Sequence, residues 1–132
     1  MAKLFKQSEA IQLGLPGRKA LEIISGARGS HSVTLRLAEI PVPKPGEPPR
    51  AAHHHSDFEE CIFVLSGEGR TYADSGEYPL KPGDTLLVPA GEKHVTRNTG
   101  AEPLLLLCFF PVPDIREGTH EPGVAKGPSN RS

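Results

Sequence analysis

AAHHHSDFEECIFVLSG, residues 51 to 67, sets three consecutive histidines ahead of a carboxylate pair, Glu59 and Glu60, and an apolar run that ends at Ser66-Gly67. Alternate side chains of an extended strand point to the same face. His53 and His55 can therefore reach one point in space while His54 looks away. A strand over Glu60 to Leu65 places Glu60 on one face with Ile62 and Val64, and leaves Glu59 and Cys61 on the other. One carboxylate can thus join two imidazoles, a donor set suited to a divalent metal ion. A further histidine, His94, stands on a later strand.

Working outward, the chain reaches this stretch through Pro41, Pro43, Pro45, Pro48 and Pro49, an extended connector that can form no helix and donates few ladder hydrogen bonds. Upstream, Ser32 to Ile40 alternates Val33, Leu35 and Leu37 with Thr34, Arg36 and Ala38, so the spacing predicts a strand whose leucine face is buried and whose other face is wetter. Two shorter strands are expected at Ala10 to Leu13 and Ala20 to Ser25. Downstream, Gly67 and Gly69 mark a tight turn, with Arg70 to Ala73 read as the returning strand of a hairpin. Glu77 to Leu80, Thr85 to Val88 and Lys93 to Asn98 follow as strands. Lys81-Pro82-Gly83-Asp84 predicts a type II turn, since proline presets its second position and glycine accepts positive φ at the third. Leu104 to Phe110, bounded by Pro103 and Pro111, has the length of a central strand covered on both sides. After Phe110 no periodicity remains, and an extended tail over 111–132 is expected along the surface. Short strands separated by glycine and proline turns, with no credible helix, indicate an all-β sandwich or barrel.

The bulk numbers agree. A chain of 132 residues accommodates one domain. The 14 prolines are roughly twice the average share. Lysine plus arginine number 15 against 16 aspartate plus glutamate, without runs of either sign, which argues against nucleic acid or an acidic membrane as partner and for a small molecule. No stretch approaches the ~18 apolar residues of a membrane span, and MAKLFKQSEA lacks a signal-peptide core, so a cytoplasmic location is expected. Cys61 and Cys108 are expected as reduced thiols.

The spacing of these residues resembles the cupin superfamily, small double-stranded β-helix or jelly-roll barrels whose second motif reads G-x5-P-x-G-x2-H-x3-N. Gly83, Pro89, Gly91, His94 and Asn98 fit it throughout. The first motif, G-x5-H-x-H-x3-4-E-x6-G, fits from His53 through His55 and Glu60 to Gly67, with Gly46 one residue too far upstream. The likeness covers roughly residues 32 to 110, which divides the chain into N-terminal strands (1–31), barrel (32–110) and tail (111–132). It implies that His53, His55, Glu60 and His94 ligate a metal; strand parity independently selects the first three, whereas His94 rests on the resemblance.

Three neutral imidazoles and one carboxylate leave a divalent ion with about one positive charge and open positions for an oxygen-rich ligand. The expected protein is a mononuclear metalloenzyme using Fe, Mn, Zn or Ni, with a non-haem iron dioxygenase placed ahead of a lyase, decarboxylase or isomerase. The alternative is a binding or sensing module without turnover. His54 reads as a solvated residue or one standing behind the ligands, His31 as a turn residue and Cys108 as core packing. Arg36, Arg70 and Tyr72 are candidates to meet a substrate, more simply read as strand-surface residues. A homodimer is expected from the sheet edges and the strand-like N-terminus.

Overall fold

The computed structural model describes residues 1–121, and its regular structure is almost all strand. In chain order the strands are β1 (Ile11–Leu13), β2 (Lys19–Ile24), β3 (Thr34–Ile40), β4 (His54–His55), β5 (Glu60–Ser66), β6 (Gly69–Ala73), β7 (Gly76–Leu80), β8 (Thr85–Val88), β9 (His94–Asn98), β10 (Leu104–Phe110) and β11 (Thr119–His120). Helix among the described residues is confined to two three-residue 3-10 turns, and none is long and apolar enough to cross a membrane.

Six strands form one antiparallel sheet in the order β1-β2-β3-β10-β5-β8, three form a second in the order β7-β6-β9, and β11 pairs with β4. A bridge between His53 and His94 joins β9 to the segment entering β4. The two sheets do not close into one continuous ladder, but the arrangement is the jelly-roll expected from the sequence. Between them lies one apolar core in which Val64, Leu104, Phe110 and Ile115 are almost wholly enclosed.

The leucine face of β3 is not its buried face. Thr34, Arg36 and Ile40 are buried while Leu35 and Leu37 are only half-buried, the reverse of the expected orientation. Polar residues are tolerated inside because each has a partner: Arg36 Nε and Nη2 donate to Glu22 Oε1 at 3.2 and 3.0 Å, Ser25 Oγ donates to Glu22 at 2.7 Å, and Thr34 Oγ1 donates to the Val112 carbonyl. In β10 the same inversion leaves Leu105 and Leu107 half-buried and Phe109 exposed, so this central strand is fully covered on one side only.

Gly67 and Gly69 do not close a hairpin between β5 and β6. β5 pairs with β10 and β8, whereas β6 pairs with β7 and β9, so the glycines make a corner at which the chain changes sheets. Gly67 has φ +85°, and a Cβ there would stand 2.6 Å from the Pro103 carbonyl oxygen. The turn at 81–84 agrees with type II: Asp84 N–H donates to the Lys81 carbonyl at 3.0 Å and Gly83 has φ +91°.

The chain after β10 does not trail along the surface. Ile115 is 1% exposed in the core, and Thr119 pairs with His55. Isolated apolar residues such as Ile115 carry no periodic signal, so their burial was not legible. The part of the expected tail over 122–132 lies outside the described residues.

Candidate metal centre

His53, His55, Glu60 and His94 are all buried, and one donor atom of each lies within 4.8 Å of all the others. Four separate backbone devices bring them together. The paired hydrogen bonds His53 N–H to His94 C=O (3.0 Å) and His94 N–H to His53 C=O (2.8 Å) fix two of the imidazoles side by side. His55 is held by its pairing with Thr119, and its carbonyl accepts from Gly91 N–H at 2.6 Å. Glu60 opens β5 opposite Val88.

The hydrogen bonds assign the ring tautomers. Thr119 spends its hydroxyl proton on the Ile115 carbonyl, so its oxygen accepts from His55 Nδ1–H at 2.8 Å. His94 Nδ1–H donates to the Glu92 carbonyl at 3.0 Å. In the neutral imidazole each ring then presents its Nε2 lone pair inward. Those two nitrogens lie 3.2 and 3.1 Å from the same oxygen, Glu60 Oε1. Three electron-rich atoms at such distances require a cation between them, whether proton or metal.

Burial alone would raise the Glu60 carboxyl, but the hydrogen bonds from His55 and His94 outweigh it and hold the group below its usual range. Burial likewise pulls His94 down, and the hydrogen bond and charge of Glu60 overcome it, leaving His94 raised. His53 is held well below its ordinary value by burial and then by His94. Both His53 ring nitrogens are buried without any hydrogen-bond partner. A buried polar atom without a partner is costly, and a metal ion held between the imidazoles and Glu60 would satisfy one of the two nitrogens.

The other expectations sort cleanly. His54 turns away and stacks on His120, ring centroids 4.8 Å apart. Glu59 and His31 are exposed. Arg36 is engaged by Glu22, Arg70 pairs with Glu77 at the surface, and the Arg97 guanidinium covers the Tyr72 ring; none of the three residues considered for substrate contact lines the cavity around the cluster. Cys108 is more than core packing: it lines the cavity beside Glu60, and burial followed by the Glu60 charge pushes its thiol well up. Sequence reasoning missed Arg18 and Arg50, which line the same cavity as His53, Glu60, His94 and Cys108. Arg50 directly precedes the histidine stretch and was open to recognition; Arg18 and Thr119 carry no local signal. The cavity measures about 40 Å³, room for roughly three waters or the head of a small ligand.

The Cupin domain family matches residues 42–110. An L-ectoine synthase of Saccharophagus degradans is 34% identical over 70 residues, covering 52% of this chain and 52% of that protein. An oxalate-binding protein of Thermotoga maritima is 31% identical over 80 residues, covering 61% of this chain and 64% of that protein. The chain thus spans between half and two thirds of the length of these relatives. Among solved structures, a nucleoside dehydratase superposes with a TM-score of 0.74 at 12% identity, covering 92% of this chain and 91% of that one, a likeness of fold.

Proposed function

This chain belongs to the cupin family, and from that premise we propose that His53, His55, Glu60 and His94 bind one divalent metal ion and that the protein is a mononuclear metalloenzyme acting on a small oxygen-rich molecule. The observation that carries this reading is the buried His53 ring, both of whose nitrogens lack a partner beside three other converging donors. When bound, ferrous iron would supply dioxygen activation, whereas manganese, zinc or nickel would supply Lewis-acid polarisation of a carbonyl or hydroxyl. The donor set suits each of these metals.

The residues of the chain have assignable tasks. Thr119 and the Glu92 carbonyl hold the His55 and His94 tautomers, and Phe58 and Phe110 pack against the His55 ring with centroids 5.0 and 5.3 Å away. The apolar wall of Ile40, Ile62 and Leu106 limits water around the donors. Lyase, decarboxylase or isomerase chemistry has the support of the relative named as a synthase; the dioxygenase expected from the sequence rests on the ligand set.

Untagged protein should carry one metal per chain by elemental analysis, and His94→Ala should lower the content to well under one while the far-ultraviolet spectrum is retained. Full retention of metal in His94→Ala would overturn the ligand assignment. Oxygen consumption by ferrous-loaded protein with keto or hydroxy acids separates the dioxygenase from the redox-neutral readings.

A second reading, binding without turnover, is favoured by the oxalate-binding relative. A ligand that raises the melting temperature and is recovered unchanged after prolonged incubation would support it. The partner proposed besides the small molecule is a second copy of the chain, in a homodimer.

A further inference from the structure

Thr96 stands between His94 and Asn98, two residues from each, on the same face of β9. It lines the cavity of the histidine cluster together with His53, Glu60 and His94. Its partner across the ladder is Thr71 of β6, and the two hydroxyl oxygens lie 2.7 Å apart. Thr71 is wholly enclosed, whereas Thr96 keeps 7% of its surface open. The backbone at Thr96 is held from two directions: β9 pairs there with β6, and the Thr96 carbonyl accepts from Arg50 Nη2 at 3.1 Å.

Two hydroxyls carry two protons, and the single bond between them uses one. Among the described residues neither hydroxyl has a second partner. The other proton must therefore point away from the pair. A hydroxyl proton sealed in the interior without an acceptor is costly, and Thr71 has no access to water. Thr71 accordingly spends its proton on Thr96 Oγ1, and the Thr96 proton is the one left over. His53 does not accept it, since neither of its ring nitrogens has a partner. It faces the cavity, where water or a ligand can take it.

We propose that Thr96 is a ligand-binding residue of the metal centre, its hydroxyl donating to an acceptor oxygen of the small molecule that enters the cavity. This deepens the metalloenzyme reading and rests on it for the metal. Thr96 accepts from Thr71 behind it and donates forward, and hydrogen bonds in such a chain strengthen one another. Ala38, Ile40, Ile62 and Leu106 form the apolar part of the same wall and offer no competing donor. The ligand class is a compact carbonyl or enolate compound. An oxygen of that type has no proton of its own to place, and a fixed donor stabilises the negative charge it gains on polarisation. A carbon or an N–H at the same position would strand the Thr96 proton, which disfavours such a ligand. A cavity of about 40 Å³ admits only the head of the molecule.

Hydroxyl-proton nuclear magnetic resonance of the metal-free wild type tests the direction of the pair. The Thr71 hydroxyl proton should exchange slowly enough with water to be observed, and the Thr96 proton should not. A protected Thr96 hydroxyl, or protection of neither, would overturn the proposal. Azide, a small anion that accepts hydrogen bonds, probes the donor in cobalt-loaded protein, read from the visible ligand-field bands with metal content measured before and after. Thr96→Val should weaken azide by roughly three- to tenfold with metal content unchanged, and Thr96→Ser should restore it. Failure of the loaded wild type to bind azide, equal affinity in Thr96→Val, or a loss that Thr96→Ser shares would each count against Thr96 as the donor. Thr71→Val combined with Thr96→Val removes both hydroxyls and leaves no stranded proton, so it takes the place of Thr96→Val where the single variant does not fold, with the same loss expected. The two measurements keep the readings apart. A wild type that holds no metal ends the metalloenzyme reading and leaves the resonance experiment to decide the direction of the hydroxyl pair; full metal content with unchanged azide affinity removes Thr96 and leaves the metal reading standing.

Discussion

His53 shows how one residue can report a missing partner. In the metal-free protein it is kept neutral by burial and by His94, below its ordinary 6.5. The unfolded chain then binds a proton between that lowered value and 6.5 while the folded chain does not, so stability falls as pH drops below about 6.5. His94 has the opposite sign. Raised above 6.5 by Glu60, its contribution is complete below 6.5 and is lost as pH rises through its folded value. Glu60, lowered from 4.5, adds stability that is lost only as pH falls below about 4.5 toward its folded value. The melting temperature of metal-free protein should therefore peak near pH 6.5, and His53→Gln should flatten the acid limb between pH 6.5 and 5 while the alkaline limb persists. Circular dichroism melts across pH 4.5 to 8 check this; an unchanged acid limb in His53→Gln would remove His53 as its cause.

At the scale of elements, short pieces far apart in sequence hold the site in place. β11 contributes the Thr119 hydroxyl, which both accepts from His55 and donates to Ile115. Groups that orient a metal-binding histidine typically influence affinity by roughly 10- to 100-fold. Thr119→Val should weaken metal binding by that amount in a chelator competition, and Thr119→Ser should retain most of it; equal affinity in Thr119→Val would leave β11 with a packing role alone. The corner between β5 and β6 is a second such element. At Gly67 a methyl group meets both an unfavourable positive φ and the Pro103 carbonyl oxygen at 2.6 Å, so Gly67→Ala should cost roughly 2 to 4 kcal/mol, read from denaturant midpoints. Asn98 supports the neighbouring loop by donating to the Ile40 and Glu102 carbonyls at 3.0 and 2.7 Å and accepting from Gly100 N–H.

Over the whole molecule, the outer face of the six-stranded sheet is apolar. Register places Leu35, Phe109, Cys61 and Leu87 in one row across β3, β10, β5 and β8, with Leu37, Leu107 and Phe63 in the next. Phe63, Leu65, Leu87 and Phe109 are exposed there, Leu87 at 56%. Apolar residues gathered on one face mark association surfaces, and this face is where the proposed homodimer would form. Sedimentation at micromolar concentration should give a dimer, and Phe63→Lys with Leu87→Lys should give a folded monomer. A wild-type monomer would refute the pairing. The inverted burial of β3 and β10 belongs to this scale: the leucines look like core when read along one strand, and only the sheet assembly shows them turned outward.

Alternation, turn chemistry and motif spacing were enough to define an all-β jelly roll, the type II turn at 81–84, the division of His53 and His55 from His54, and the choice of Glu60 over Glu59. These features are local: strand parity and the φ demanded of a glycine are properties of a few adjacent residues. Which face of β3 is buried, where Gly67 leads the chain, that Thr119 orients His55, and that Arg18, Arg50 and Cys108 share the cluster's cavity were decided only by the tertiary structure. Each depends on contacts between segments tens of residues apart, and no local pattern records which distant group will supply a partner for a buried charge.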